Sequence, residues 1–144
     1  MDLPEYITVE EVQRVCRELG IRDWTALTAP QVLPEEAKII LKDVNVEGMN
    51  IDLDEFKTGL EVELEHGITF NDANVTNNHP ILTGKIVIAH LKETLDYYKR
   101  LDVAEIEGDL LKAIVSKNSE KAISYYQKLI RAKLALAQVE AKEV

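Results

Sequence analysis

The chain contains few of the residues that break regular structure or cross-link a chain. Its 144 residues include six glycines, four prolines and one cysteine. Scarce glycine and proline favour long regular elements over many tight turns. The single cysteine, Cys16, excludes an intrachain disulfide, and its apolar helical neighbours Val12, Val15 and Leu19 favour a small buried hydrophobe over a reactive thiol. We therefore expect a reducing, cytoplasmic setting.

The sequence also lacks a membrane span, a signal peptide and an excess of positive charge. No run approaches the ~18 apolar residues of a transmembrane helix. The start, Met-Asp-Leu-Pro-Glu, lacks the basic and apolar regions of a signal peptide. The formal net charge of −9 argues against binding nucleic acid through phosphate neutralisation. We expect a soluble protein that binds neither membranes nor nucleic acid.

Helix signals dominate what is present, and no strand alternation is convincing. Thr8 and Glu11 form a capping box, Gly20 follows as a C-cap would, and Asp52 opens a later helix. The sequence predicts an all-α fold of about five to six helices in a compact orthogonal or bundle-like arrangement. We expect a single domain over 1–144, with N-terminal helices in 8–44, a core unit at about 52–101 and C-terminal helices in 103–142. A helix closed by Gly67 and another running from Pro80 to about Leu101 are the main elements of that core unit.

Charge is unevenly distributed along the chain. Residues 1–111 hold 10 Lys and Arg against 23 Asp and Glu, a net of −13. Residues 112–144 hold 7 against 3, a net of +4. Two interpretations fit: the basic tail packs back on the acidic body, or it docks on another acidic subunit. A homo-oligomer or a protein partner is therefore one expectation for this chain.

Two histidines lie in mirror-image settings. The first segment reads Glu63-Leu64-Glu65-His66 and the second His90-Leu91-Lys92-Glu93. A spacing of three residues puts a carboxylate and an imidazole on one face of a helix. At roughly 100° per residue, His90 falls inside an apolar helix face and Glu63 falls at a core edge. Two such helices running antiparallel would bring two Glu and two His together.

This pairing predicts a metal site, with Glu63, His66, His90 and Glu93 as the candidate ligands. Helical bundles rich in carboxylates bind metals with such Glu/His pairs, and mixed nitrogen and oxygen ligands suit iron, manganese or zinc. Two other interpretations remain open. The four residues can form a structural network of ion pairs and hydrogen bonds, or they can be partly exposed with a surface role.

Several stretches resemble a family of small bacterial and archaeal proteins of unknown function. They are Gly59-Leu60-Glu61-Val62-Glu63-Leu64-Glu65-His66-Gly67, Asn74-Val75-Thr76, Leu82-Thr83-Gly84-Lys85-Ile86, Ala89-His90-Leu91-Lys92-Glu93 and Asp96-Tyr97-Tyr98. The resemblance covers about residues 52–101, and it implies that the Glu and His positions belong to a recurring unit. The family pattern has a proline before Asp-Tyr-Tyr where this chain has Thr94-Leu95, which suggests a straighter helix here. The resemblance implies no activity.

Three functions compete at this point. The first is a metal-binding helical protein that uses the four Glu and His residues. The second is a non-catalytic protein–protein interaction module in which those residues are structural. The third is a metal-free acid–base enzyme that uses His90 with Glu93. The sequence has no Ser- or Cys-centred nucleophile motif, no Gly-rich phosphate loop and no dinucleotide fingerprint. Catalytic residues and any organic cofactor are therefore not assigned.

Overall fold

The computed structural model describes residues 3–144, and this part of the chain is helical without any strand. The predicted all-α class is confirmed. No helix in residues 3–144 is long and apolar enough to cross a membrane. Two 3₁₀ turns, Trp24–Ala26 and Asn71–Ala73, lie between the α-helices. The six α-helices of this part are α1 (Val9–Leu19), α2 (Pro34–Val44), α3 (Leu53–Thr69), α4 (Pro80–Glu93), α5 (Tyr97–Val115) and α6 (Ser119–Glu140).

Capping residues fix most of the helix starts. The Thr8 hydroxyl accepts a hydrogen bond from the backbone N–H of Glu11 at 3.2 Å, so α1 begins where the capping box predicted. Gly20 ends α1 in the left-handed conformation, with φ of 69°, which a residue without Cβ adopts at no steric cost. Asp52 accepts from the first turn of α3, and Asn118 accepts from the first turn of α6.

Two predicted helix ends are wrong. Helix α3 continues past Gly67 to Thr69, and α4 stops at Glu93 instead of about residue 101. The helix is interrupted at 94–96, where the Asp96 carboxylate accepts hydrogen bonds from the guanidinium of Arg100 at 2.6 Å and from the Thr94 hydroxyl. Asp96 is 2% exposed, and both Thr and Asp are weak helix formers. The absent proline did not produce a straighter helix.

The chain divides into two compact units, residues 1–93 and residues 94–144. That the two units together form a single domain over 1–144 stays a prediction. In the first unit, α2, α3 and α4 pack on one another, and α1 contacts α4 and the first 3₁₀ turn. Cys16 is buried there, and burial raises the pKa of its thiol, which disfavours the reactive thiolate. The fully buried core side chains of this unit include Val12, Trp24, Ile40, Phe56, Leu60, Leu64, Val87 and Leu91.

A buried carboxylate joins α2 to the segment after α1. Glu36, 3% exposed, accepts from the guanidinium of Arg22 at 2.7 Å and from the backbone N–H groups of Arg22 and Leu33. Burial opposes its charge, but these donors hold the pKa of Glu36 below its usual value. The N-terminal segments are therefore fixed by a charge-assisted network as well as by apolar packing.

In the second unit, α5 and α6 form an antiparallel hairpin. Lys117 turns the chain between them with φ of 55°. Ion pairs join Arg100 to Glu140 at 3.0 Å and Glu107 to Lys133 at 3.2 Å, and their numbers run in opposite directions, as antiparallel helices require. The two helices contact each other along their length. This unit is a helix pair with a narrow buried seam, to which Ala113, Leu129 and Ala132 contribute.

Gly84 allows a close approach of α4 to α2. A Cβ atom at this position would lie 2.6 Å from Cγ2 of Ile40 and 3.2 Å from Cγ1 of Val44. Ile40 is fully buried and has no space into which it can move. The distance between the two helices at this point therefore requires a residue without a side chain.

We predict opposite effects for alanine at two helical glycines. Gly84→Ala should lower the free energy of unfolding by about 1–3 kcal/mol, because the new methyl overpacks against α2. Gly108→Ala is the matched control, since nothing lies within 4 Å of a Cβ there. It should raise the free energy of unfolding by up to about 1 kcal/mol through helix propensity. Urea unfolding followed by circular dichroism measures both, and two shifts of the same sign would contradict the account.

Candidate functional site

The carboxylate of Glu63 lies within reach of two imidazoles. Oε1 of Glu63 lies 3.5 Å from Nε2 of His90, which α4 presents across the α3–α4 packing. Oε2 of Glu63 lies 3.9 Å from Nδ1 of His66, one turn further along α3. The side chains of Glu63, His90 and His66 are 15%, 31% and 58% exposed. The structure thus brings three of the four sequence-predicted residues together at the edge of the core.

The other acidic residues of these helices have different environments. Glu93 is the last residue of α4 and is exposed, and its role as a fourth ligand stays a prediction. Glu65 is exposed. Glu61 is only partly exposed. Its carboxylate pairs with Lys57 at 2.7 Å and accepts a hydrogen bond from the backbone N–H of Val32 at 3.0 Å. It thereby ties α3 to the segment before α2.

The cluster is not a ready-made metal centre. Among residues 3–144, no group of three or more His, Cys, Asp or Glu side chains is arranged to hold a metal ion. Glu63 contacts each histidine with a different oxygen, so its two contacts do not converge on one point. A metal ion would have to draw the three side chains together.

A cleft of about 350 Å³ opens beside Glu63 and His66. Its volume is at the lower end of the range of small-ligand sites. Most of the lining comes from three segments that also carry the family resemblance: the end of α3, residues 74–76 and the second turn of α4. Phe70 stands at the cleft and is 55% exposed. The lining residues are Glu63, His66, Gly67, Phe70, Ala73, Asn74, Val75, Thr76, Asn78, Thr83 and Ile86.

Asparagine amides build the wall of this cleft. Asn78 is buried with φ of 61°, and its side chain accepts from Asn74 at 3.0 Å and donates to the carbonyl of Trp24 at 3.4 Å. Asn74 also donates to the carbonyl of Gly67 at 3.2 Å. A Cβ at Gly67 would lie 2.4 Å from Oδ1 of Asn78, so glycine is needed for this close contact. The Asn-rich segment between α3 and α4 is therefore a structural wall.

His79 has a role that the sequence did not reveal. It is 8% exposed, and its Nδ1 accepts from the backbone N–H groups of Ile81 and Leu82 at 3.2 and 3.3 Å. The side chain therefore caps α4, the helix that presents Thr83 and His90. An imidazole nitrogen accepts only when it carries no proton, and burial lowers the pKa of His79. Histidine followed by Pro80 at a helix start is the signal that could have indicated this cap.

The fold and the site define a small helical protein with a Glu/His cluster beside a cleft. The chain belongs to the family described as "Protein of unknown function (DUF5661)", whose model matches residues 12–107. The match contains the whole cluster and cleft, and it confirms the expected membership of a family of unknown function. No curated protein and no solved structure matches the chain.

We predict that protonation of His79 destabilises the fold. The pKa of His79 is lowered in the folded protein, so the unfolded chain takes up the proton first as the pH falls. Stability should therefore decrease as the pH falls from about 7.5 through about 6.5, the usual histidine pKa, towards the lower folded pKa. His79→Asn keeps a capping side chain that does not titrate, so its melting temperature should fall less between pH 7.5 and about 5.5. An equal fall in both proteins would show that His79 is not the titrating group.

Proposed function

We propose that the chain binds a divalent metal ion, iron, manganese or zinc, at Glu63, His66 and His90. The observation that carries this proposal is the position of the Glu63 carboxylate between two imidazole nitrogens. The two histidines come from different helices, so a shared ion would also fix the packing of α3 on α4. Glu93 is the remaining candidate ligand and would join from the last turn of α4.

The distances support this ligand set after a small adjustment. Bonds of ~2.0–2.1 Å to a tetrahedral zinc place neighbouring ligand atoms roughly 3.3 Å apart. The 3.5 Å distance between Glu63 and His90 is close to that value. The 3.9 Å distance to His66 is longer, but the His66 side chain is 58% exposed and can rotate at little cost.

Charge and access also favour a cation. Residues 1–93 contain 18 Asp and Glu against 8 Lys and Arg, a net of −10 that raises the local concentration of cations. The cleft beside Glu63 and His66 leaves one side of the cluster open to water or to a further ligand. A metal with three protein ligands and an open position is the arrangement of catalytic rather than structural zinc sites.

A second candidate is a non-catalytic interaction module in which the cluster is structural. Glu63 then serves as an ion-pair partner for the histidines and holds α3 against α4. The observation that favours this function lies in the second unit, where the α5–α6 hairpin exposes large apolar side chains.

The metal proposal is tested by loading the untagged protein with Zn²⁺, Mn²⁺ or Fe²⁺ and measuring bound metal and affinity. We expect one ion per chain. Glu63→Gln and His90→Ala should each weaken affinity by about 100-fold or more, since a removed ligand should cost at least as much as a group that only orients one. Affinity should also fall in acid, because protons compete for the imidazoles.

Glu65→Gln is the matched control. It removes the same charge from the same helix, but Glu65 is exposed and lies outside the cluster. It should leave the affinity unchanged. Protein that stays metal-free with all three ions overturns the metal proposal. A loss of stability in Glu63→Gln without any change in bound metal would instead support the structural role of the cluster.

A further inference from the structure

The hairpin carries a row of large apolar side chains on the surface. We call this row the outer apolar face. Its residues are between 50% and 73% exposed, although all belong to well-formed helices. Soluble monomers rarely expose a contiguous apolar patch of this kind without using it. The outer apolar face consists of Leu111, Ile114 and Val115 on α5 and Ile123, Tyr126, Ile130 and Leu134 on α6.

Helix α6 carries two separate apolar stripes. One contains Leu129 and Ala132, which are buried. The other contains Ile123, Tyr126, Ile130 and Leu134, at the spacing of three and four residues typical of a helix–helix seam. At roughly 100° per residue, the centres of the two stripes lie about 130° apart. A helix that packs against one neighbour needs only one such stripe.

The apolar residues of α5 lie on the same side of the hairpin. The ion pair between Glu107 and Lys133 joins the two helices at 3.2 Å. Leu111 and Ile114 lie four and seven residues after Glu107, so they share its side of α5. Lys133 borders the exposed stripe of α6, one residue before Leu134. Leu111 and Ile114 therefore lie on the same side of the hairpin as the exposed stripe of α6.

We propose that a second copy of this chain covers the outer apolar face, so that two hairpins form a four-helix bundle. This goes beyond the proposed metal site, and it supplies the partner for the second candidate function. The seven side chains expose on the order of 800 Å², which is what one partner contributes to a standard protein interface. In a dimer with a two-fold axis, both copies contribute the same surface, so the outer apolar face of one copy is covered by that of the other.

Charge favours this occupant as well. Residues 94–144 contain nine Lys and Arg against eight Asp and Glu, a net of +1. Two copies that meet through this unit bring together nearly neutral surfaces of mixed sign. A contact through residues 1–93 would instead oppose two units of net −10 each. The apolar face lies on the part of the chain where self-association costs least electrostatically.

Sedimentation of the full-length protein tests the proposal. At about 100 μM the wild type should sediment as a dimer, given a dissociation constant of roughly micromolar or below. Ile130→Glu places a charge in the centre of the face, and symmetry introduces it twice. The dissociation constant should rise by about 100-fold or more, as for other central interface positions. Leu134→Glu provides a second variant if the first one does not fold.

Ser124→Glu is the matched control. It adds the same charge to α6 at roughly 115° from the centre of the exposed stripe, and Ser124 is exposed. It should sediment as the wild type does, and helicity by circular dichroism should be equal in all variants. A wild type that stays monomeric at about 100 μM overturns the second-copy proposal, as does a dimer that survives both stripe variants. Bound metal is measured on the same samples, so that a failure of the dimer proposal can be distinguished from a failure of the metal proposal.

Discussion

The missing side chain at Gly84 determines how near α4 lies to α2, and the position of the candidate site follows from that distance. A Cβ there would overlap Ile40, which is fully buried and cannot retreat. With α4 seated on α2, the same helix carries Thr83 and Ile86 to the cleft and His90 to Glu63. His79 holds the start of the same helix through two backbone N–H groups. The packing of α4 at Gly84 and its cap at His79 thus together position the α4 residues of the candidate site.

Local features of the sequence predicted local features of the fold. The caps at Thr8 and Asp52 are correct because each depends on a hydrogen bond within three residues. The end of α4 was missed because no glycine or proline marks it, and only the weak helix formers Thr94 and Asp96 stand there. Asp96 could equally have stayed within a longer helix, since its ion pair with Arg100 spans four residues, a spacing that a continuous helix also allows. Sequence periodicity carries no information about such a choice.

Helical angles predicted much of the candidate site, and tertiary contacts supplied the rest. Nε2 of His90 and Oε1 of Glu63 lie 3.5 Å apart, which the helical angles made possible but did not require. The cleft was not foreseen, because the segment between α3 and α4 becomes a wall only through contacts of Asn78 with Trp24 and Asn74. Trp24 lies 54 residues before Asn78, so their contact cannot be inferred from sequence spacing.

The family match ends at residue 107, in the middle of α5, whereas the boundary between the two compact units falls after Glu93. The boundary of the shared sequence is therefore not a boundary of folding. A chain shortened to the shared part would keep the first half of α5 without α6, and the seam that α6 covers would be open to water. The part of the chain that the family model matches therefore depends, for the burial of one apolar seam, on a helix that lies outside the match.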